Sequence, residues 1–380
     1  MPENRWHPPN EAVEPGVGIL VYYPESCSVF VFRRVVLASG SKGDSGYGAN
    51  HPVVEWLLDR AKTPGWTRAS TVITDAGSRS HAKKIANSIE EAGADLLHIT
   101  NQLDAGMVPT KSVEFPVVVS VHDLYDFRPR AIDAGDVPVP LGDRFPSSAK
   151  SRLLSSCKEG MSRADMLLCS SNRTLLEARE MFPQTRCELV RDSVDESFWN
   201  PRKLRDREVL GDAGGDEGKC LIVSVGEKDP RWRSQFVDEV ISMLPEDVRE
   251  DILLVKIGSG KVDLERVATY LQHAECLLYP GVSVGFQSPP LEAMAAGCIV
   301  LASNFPLHDE YLPPRSLLPA TDPDHWVSAI VDVHSEWARA GGVPRLPDEE
   351  LVSMAGSFGR EAHGVALARA YDLALGSVER

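Results

Sequence analysis

Short apolar runs alternate with amphipathic stretches along most of the chain. GVGILVYY (16–23) and VFVFRRVVLAS (29–39) have the length and β-branched content of buried strands, whereas HPVVEWLLDRAK (51–62) repeats its apolar residues at helical spacing. The alternation continues with a strand at 70–76 (STVITDA) and a helix at 78–93 that Gly93 ends. Strands follow at 94–100 (ADLLHIT), 116–124 (PVVVSVHDL) and 166–171 (MLLCSS), then a helix at 172–182. Strand–helix alternation of this kind predicts a mostly parallel sheet with helices on both faces.

The pattern restarts at residue 219. KCLIVSVGE (219–227), DILLVKIGSG (251–260), CLLYP (276–280) and CIVLAS (298–303) read as strands. Helices are expected at 229–245, at 262–275 and, shorter, at PPLEAMAAG (289–297). Between the two sets lies NPRKLRDREVLGDAGGDEGK (200–219), polar and Gly-rich, which reads as an interdomain segment. The expected organisation is an α/β domain over 1–200, a linker over 201–218, a second α/β domain over 219–356 and a final helix over 357–380. The stretch 128–148 holds four Pro and no periodicity, and is expected to be a loop. Open parallel sheets bind ligands at the carboxyl ends of their strands, so two such domains would enclose a cleft.

Composition narrows this picture by exclusion. The 380 residues carry a net charge of -15, of which about -11 falls on residues 201–380. That argues against a broad nucleic-acid surface, while the less acidic first half permits peripheral membrane contact. No run reaches the ~20 apolar residues of a membrane span, and the N-terminus lacks a signal-peptide core. Seven Cys (27, 157, 169, 187, 220, 276 and 298) include no pair at CxxC spacing. Free thiols in a reducing, cytoplasmic setting are expected. The His residues show no metal-ligand spacing, and neither a metal nor a cofactor is expected.

The most specific stretch is YPGVSVGFQSPPLEAMAAGCIVLASNFP (279–306): a strand end, a Gly-containing loop and a Pro-Pro helix start. Prolines suit the first helical turn, and the N–H groups exposed there favour anions. Glu292, one turn in, can accept hydrogen bonds from a ribose diol. Here the sequence resembles the family-4 retaining glycosyltransferases (the glycosyl transferases group 1 type) of the GT-B fold, whose stretch reads approximately E-G-F-G-L-P-P-L-E-A-M-A-x-G. VVVSVHDL (117–124), ADMLLCSSNRTLLEARE (164–180), ELVRDSVDESFWNP (188–201), LIVSVGEKDPRWR (221–233) and SGYGANHPVVEWLL (45–58) resemble further family segments in the same order.

The resemblance implies two Rossmann-like α/β domains facing a central cleft and a hexosyl-type transferase acting with retention. The donor would be a nucleotide-sugar, bound by Glu292, Arg231, Arg233, Gly285, Phe286, Gln287, Ser288, Pro289 and Leu291 of the second domain. His122 and Asp123 would lie over the donor sugar as catalytic candidates, and the loop carrying Gly46 and Gly48 would approach a phosphate or the acceptor, a hydroxyl compound of unnamed class. The final helix would cross back to the first domain. The sequence departs from the family at three places: Val284 replaces the first Glu of the paired motif, and Glu227 and Trp232 stand where an Arg and a Lys are usual. These departures support an alternative, a non-catalytic GT-B protein that partners or regulates an active glycosyltransferase.

Overall fold

A computed structural model describes residues 32–40, 51–60, 62–74, 81–111, 113–128, 130–134, 137–141, 145–206, 218–226, 230–258, 263–282 and 288–378. The expected strands at 16–23 and in the first part of 29–39 lie outside these residues. Six strands form one parallel sheet: β1 (Arg33–Ser39), β2 (Trp66–Ile73), β3 (Leu96–Ile99), β4 (Val117–Val121), β7 (Met166–Cys169) and β8 (Arg186–Leu189), in the order β2-β1-β3-β4-β7-β8. β5 (Arg130–Ala134) and β6 (Val137–Leu141) form a separate antiparallel hairpin within the stretch expected to be a loop. Pro138 and Pro140 within β6 are what made this stretch read as a loop.

Period-two alternation explains how the sheet is covered. Val36 and Ala38 of β1 point into one core, while Val35 and Leu37 point into the other. The first core is roofed by α2 (His81–Ala92), α3 (Ser148–Arg163) and α4 (Asn172–Met181). The second is roofed by α1 (His51–Asp59) and by α12 (Arg360–Val378), which supplies Leu367, Tyr371 and Ala374. The last helix of the chain therefore belongs to the core of the first sheet. β2 begins at Trp66, ahead of the expected start at residue 70, because that ring is buried edge-on against Tyr371, with centroids 5.1 Å apart.

The second sheet runs β10-β9-β11-β12-β13, all parallel, from β9 (Cys220–Val225), β10 (Ile252–Ile257), β11 (Cys276–Tyr279), β12 (Ile299–Ser303) and β13 (Leu317–Leu318). After the short α5 (Glu196–Trp199), one face packs α6 (Ser234–Ser242), α7 (Glu246–Asp251) and α10 (Pro323–Arg339). The other packs α8 (Leu264–His273), α9 (Ser288–Ala295) and α11 (Glu349–Gly356). The helix expected over 229–245 is broken. Pro230–Trp232 form a single 3-10 turn, Arg233 takes a left-handed conformation (φ 52°), and α6 starts only at Ser234. In each sheet the chain grows outward from the first strand, then returns to its other side: β2 and β3 flank β1, and β10 and β11 flank β9. Such switch points open a crevice at the strands' carboxyl ends.

Candidate active site

His122 is the first residue after β4, beside the switch point of the first sheet. Its backbone is held on both sides. The N–H donates to Gln102 Oε1 (3.0 Å), and the carbonyl accepts from Ser170 Oγ (2.9 Å) and Thr174 Oγ1 (3.4 Å). The ring is held as well: Nε2 donates to the Thr100 carbonyl at 3.0 Å, and Nδ1 faces Asp192 Oδ2 at 3.5 Å. With an acceptor opposite each nitrogen, the charged ring is favoured. Burial alone would lower its pKa, but Asp192, the Thr100 carbonyl and Asp123 outweigh burial and raise it.

Asp123 shows the opposite balance. Burial pushes its carboxyl up to about 7; His122 and Arg231 pull it down, and Asp126 pushes it further up. This carboxyl therefore titrates in the neutral range, where a group can both accept and return a proton. Tyr125, whose N–H donates to Asp123 Oδ1 at 3.4 Å, has its phenol raised to about 12, by burial first and then by the Asp123 charge.

The second domain reaches this cluster through the turn after β9. The Arg231 guanidinium carbon lies 4.0 Å from the centre of the Tyr125 ring, close enough for a cation–π contact. The Arg231 carbonyl accepts from Val282 N–H (2.8 Å), which ties the loop after β9 to the loop after β11. The cation is thus fixed at the second switch point and aimed at the first. Arg233, two residues on, is placed differently. Its guanidinium donates to the Ala320 carbonyl (2.5 Å) and the Pro280 carbonyl (3.5 Å) and stacks over Phe236 (4.1 Å). Burial lowers its pKa. Arg233 braces the strand ends, and its left-handed backbone turns it away from Arg231.

Glu292 is half-buried in α9, near enough to Tyr279 for its charge to act on that phenol. Burial raises the Tyr279 pKa most, Tyr311 and Glu292 add to the rise, and Arg231 opposes it. Ser288 opens α9 and is half-buried. Pro289 and Leu291 pack inward; Leu291 is 1% exposed and sits in the core. Trp232, where the family has a Lys, stands edge-on to Tyr279 at 5.6 Å and joins the same core. Gly46, Gly48, Gly285, Phe286, Gln287, Val284 and Glu227 lie outside the described residues. Among the described residues, no group of three or more His, Cys, Asp or Glu is placed to hold a metal ion, and no helix is long and apolar enough to cross a membrane.

A second contact spans the cleft. The Glu310 carboxylate accepts from the backbone N–H groups of Asn172 (2.9 Å) and Arg173 (3.0 Å), the first turn of α4. A residue of one domain thus caps a helix of the other. The sequence reading did not single out Asp192, Tyr125 or Glu310. Tyr125 follows His122-Asp123 closely enough to be found, but Asp192 and Glu310 meet their partners only through the fold.

Residues 219–336 match the family described as glycosyl transferases group 1. No curated protein matches the sequence. Among solved structures, a sucrose-phosphate synthase from Thermosynechococcus elongatus superposes with a TM-score of 0.66 at 15% identity, covering 91% of this chain and 100% of that one. A glycosyltransferase from Rickettsia africae gives 0.66 at 12%, covering 90% and 99%. The Anabaena protein HepE, solved in complex with UDP, gives 0.59 at 11%, covering 90% and 100%. At such identities the likeness is one of fold. Residues 219–336 thus match the glycosyl transferases group 1 family, within a chain whose fold is GT-B.

Proposed function

We propose that this protein is a retaining, hexosyl-type glycosyltransferase that moves a sugar from a nucleotide-sugar to a hydroxyl acceptor in the cytoplasm, without a metal. The observation that carries the reading is the placement of Arg231, fixed at the switch point of the second domain and lying over Tyr125 beside Asp123 of the first. In this reading Glu292 holds the ribose diol. Arg231 offsets the negative charge that develops on the diphosphate as the bond to the anomeric carbon breaks. The acceptor oxygen bonds to that carbon from the face that the diphosphate leaves, and the acceptor's proton passes to the departing phosphate oxygen. His122 lies over the donor sugar, and Asp123 beside it, with its neutral-range carboxyl, buffers the proton traffic nearby. Arg233, Ser288, Pro289 and Leu291 support the donor site from behind, and the loops carrying Gly46, Gly48, Gly285, Phe286 and Gln287 would complete it.

Trp232 favours a second reading. Its ring is committed to Tyr279 where the family has a cation, so one positive charge of the usual diphosphate site is replaced by packing. A nucleotide-binding partner of an active transferase would tolerate that loss. Binding of UDP, GDP, ADP and TDP forms and their sugars, followed by thermal shift and calorimetry with Glu292→Ala as control, tests the donor site. A ligand at 100 times its dissociation constant adds roughly 2.7 kcal/mol. Stabilisation by one nucleotide that Glu292→Ala abolishes supports the site, and sugar release or transfer then separates the two readings. No binding to well-folded protein removes the transferase reading and leaves a partner or regulator, which capture of an active glycosyltransferase then tests.

A further inference from the structure

Behind His122, the first domain encloses a cavity of mixed lining that the proposed chemistry does not use. Val54, Leu168, Val190 and Leu367 form its apolar part, and His98, Ser120, His122, Ser170, Asp192 and His363 its polar part. The space open to the centre of a water molecule is about 10 Å³, room for one. His363 enters from α12, the helix that follows the second domain in sequence. It is 8% exposed, and its Nδ1 lies 2.5 Å from the Arg191 carbonyl, which places the ring proton there. Its Nε2 is then an acceptor, and it is buried with no partner in the protein. Such an atom needs a donor.

The opposite wall supplies one. The Tyr371 hydroxyl, also on α12, lies 2.7 Å from His98 Nδ1, and His98 Nε2 lies 2.8 Å from Ser120 Oγ. In the tautomer where Tyr371 donates to His98 Nδ1 and His98 Nε2 donates to Ser120, the Ser120 O–H is directed onward. A single water in the cavity would accept from Ser120 and donate to His363 Nε2 and to the Asp192 carboxylate, giving three partners, the usual number for a buried water.

We propose that this cavity holds one ordered water joining Ser120, Asp192 and His363, and that His363 is thereby a positioning residue that holds Asp192 against His122. The link to catalysis rests on the transferase reading above; the bridge itself does not. Among the described residues, the titratable groups facing His122 include Asp192 beyond β8, Asp123 on its own loop and His363 on α12.

The test is a titration of the His122 imidazole by nitrogen-15 NMR in the full chain, assigned with His122→Asn. His363→Asn keeps a donor for the Arg191 carbonyl and removes the acceptor at the Nε2 position; His363→Gln restores an acceptor there. In His363→Asn the His122 pKa falls by about one unit, because Asp192 loses the water that orients it. In His363→Gln it returns most of the way to the wild-type value. An unchanged His122 titration in a folded His363→Asn protein overturns the proposal. Should neither variant fold, diffraction from the wild type decides. Density for one water within hydrogen-bond distance of His363 Nε2 and Asp192 supports the bridge, and its absence refutes it. A protein that transfers no sugar would end the transferase reading while leaving this result intact.

Discussion

Asp123 and Arg231 carry opposite lessons about single side chains at the cleft. The folded-state pKa of Asp123 is raised above its unfolded value, so the folded protein binds this proton more tightly. Stability is full at low pH and falls as pH rises from about 4 through about 7. Asp123→Asn removes that slope. Its melting temperature relative to wild type should rise between pH 5 and pH 8 while transfer activity is lost, and thermal melts at the two pH values check the sign. Arg231→Met should leave the fold intact and weaken nucleoside-diphosphate binding about ten- to a hundredfold, the cost of one charge-assisted contact, as read by calorimetry. Both residues were legible in the sequence, His122-Asp123 from its strand end and Arg231 from the resemblance. What the chain order concealed was their juxtaposition: residues over a hundred positions apart meet only because two switch points face each other. Arg233 was equally legible, but nothing in its spacing to Arg231 foretold that a left-handed residue would send its side chain to backbone carbonyls instead.

At the scale of elements, β3, β4, β7, β9, β10, β11 and β12 were the most legible because each is a short apolar run with sharp borders, whereas β8 (Arg-Cys-Glu-Leu) and the two-residue β13 carry no such run and were not expected. The 17-residue α10 went unnoticed despite buried Trp326, Ile330, Val333 and Trp337 at helical spacing, since its exposed face is dense in polar residues. The hairpin at 130–141 was obscured by prolines. Helix α12 was legible as a helix, but its tightest fit was not. A Cβ placed on Gly364 would stand 2.1 Å from the Lys62 carbonyl, a backbone atom that cannot rotate away. Gly364→Ala should therefore lift α12 from α1 and cost about 1–3 kcal/mol, seen as an earlier denaturant transition. Gly376→Ala, on the same helix with nothing within 4 Å, should be neutral or slightly stabilising.

On the scale of the whole molecule, the contacts across the cleft among the described residues include Arg231 over Tyr125 and Glu310 on the first turn of α4. Removing a helix cap costs about 1 kcal/mol, enough to shift an open–closed balance several-fold. Glu310→Ala should therefore enlarge the radius of gyration in solution scattering, and a saturating nucleotide-sugar should reverse part of the change. Loss of the capping carboxylate with no change in dimensions would mean that other contacts set the closure. Nothing in the local sequence marks Glu310 for this role, because the backbone groups that it caps belong to the other domain.

The passage of α12 into the core of the first sheet also bears on the order in which the molecule can be built. Trp66, Val35 and Leu37 are sealed by Leu367, Tyr371 and Ala374. A ribosome that has finished the strands of the first domain has still to make the whole second domain before these rings and methyls are covered. At roughly 5–20 residues per second, that leaves an apolar face open for on the order of ten to forty seconds. During synthesis this face of the first domain stays uncovered until α12 arrives, so the first domain completes its fold after the domain that follows it.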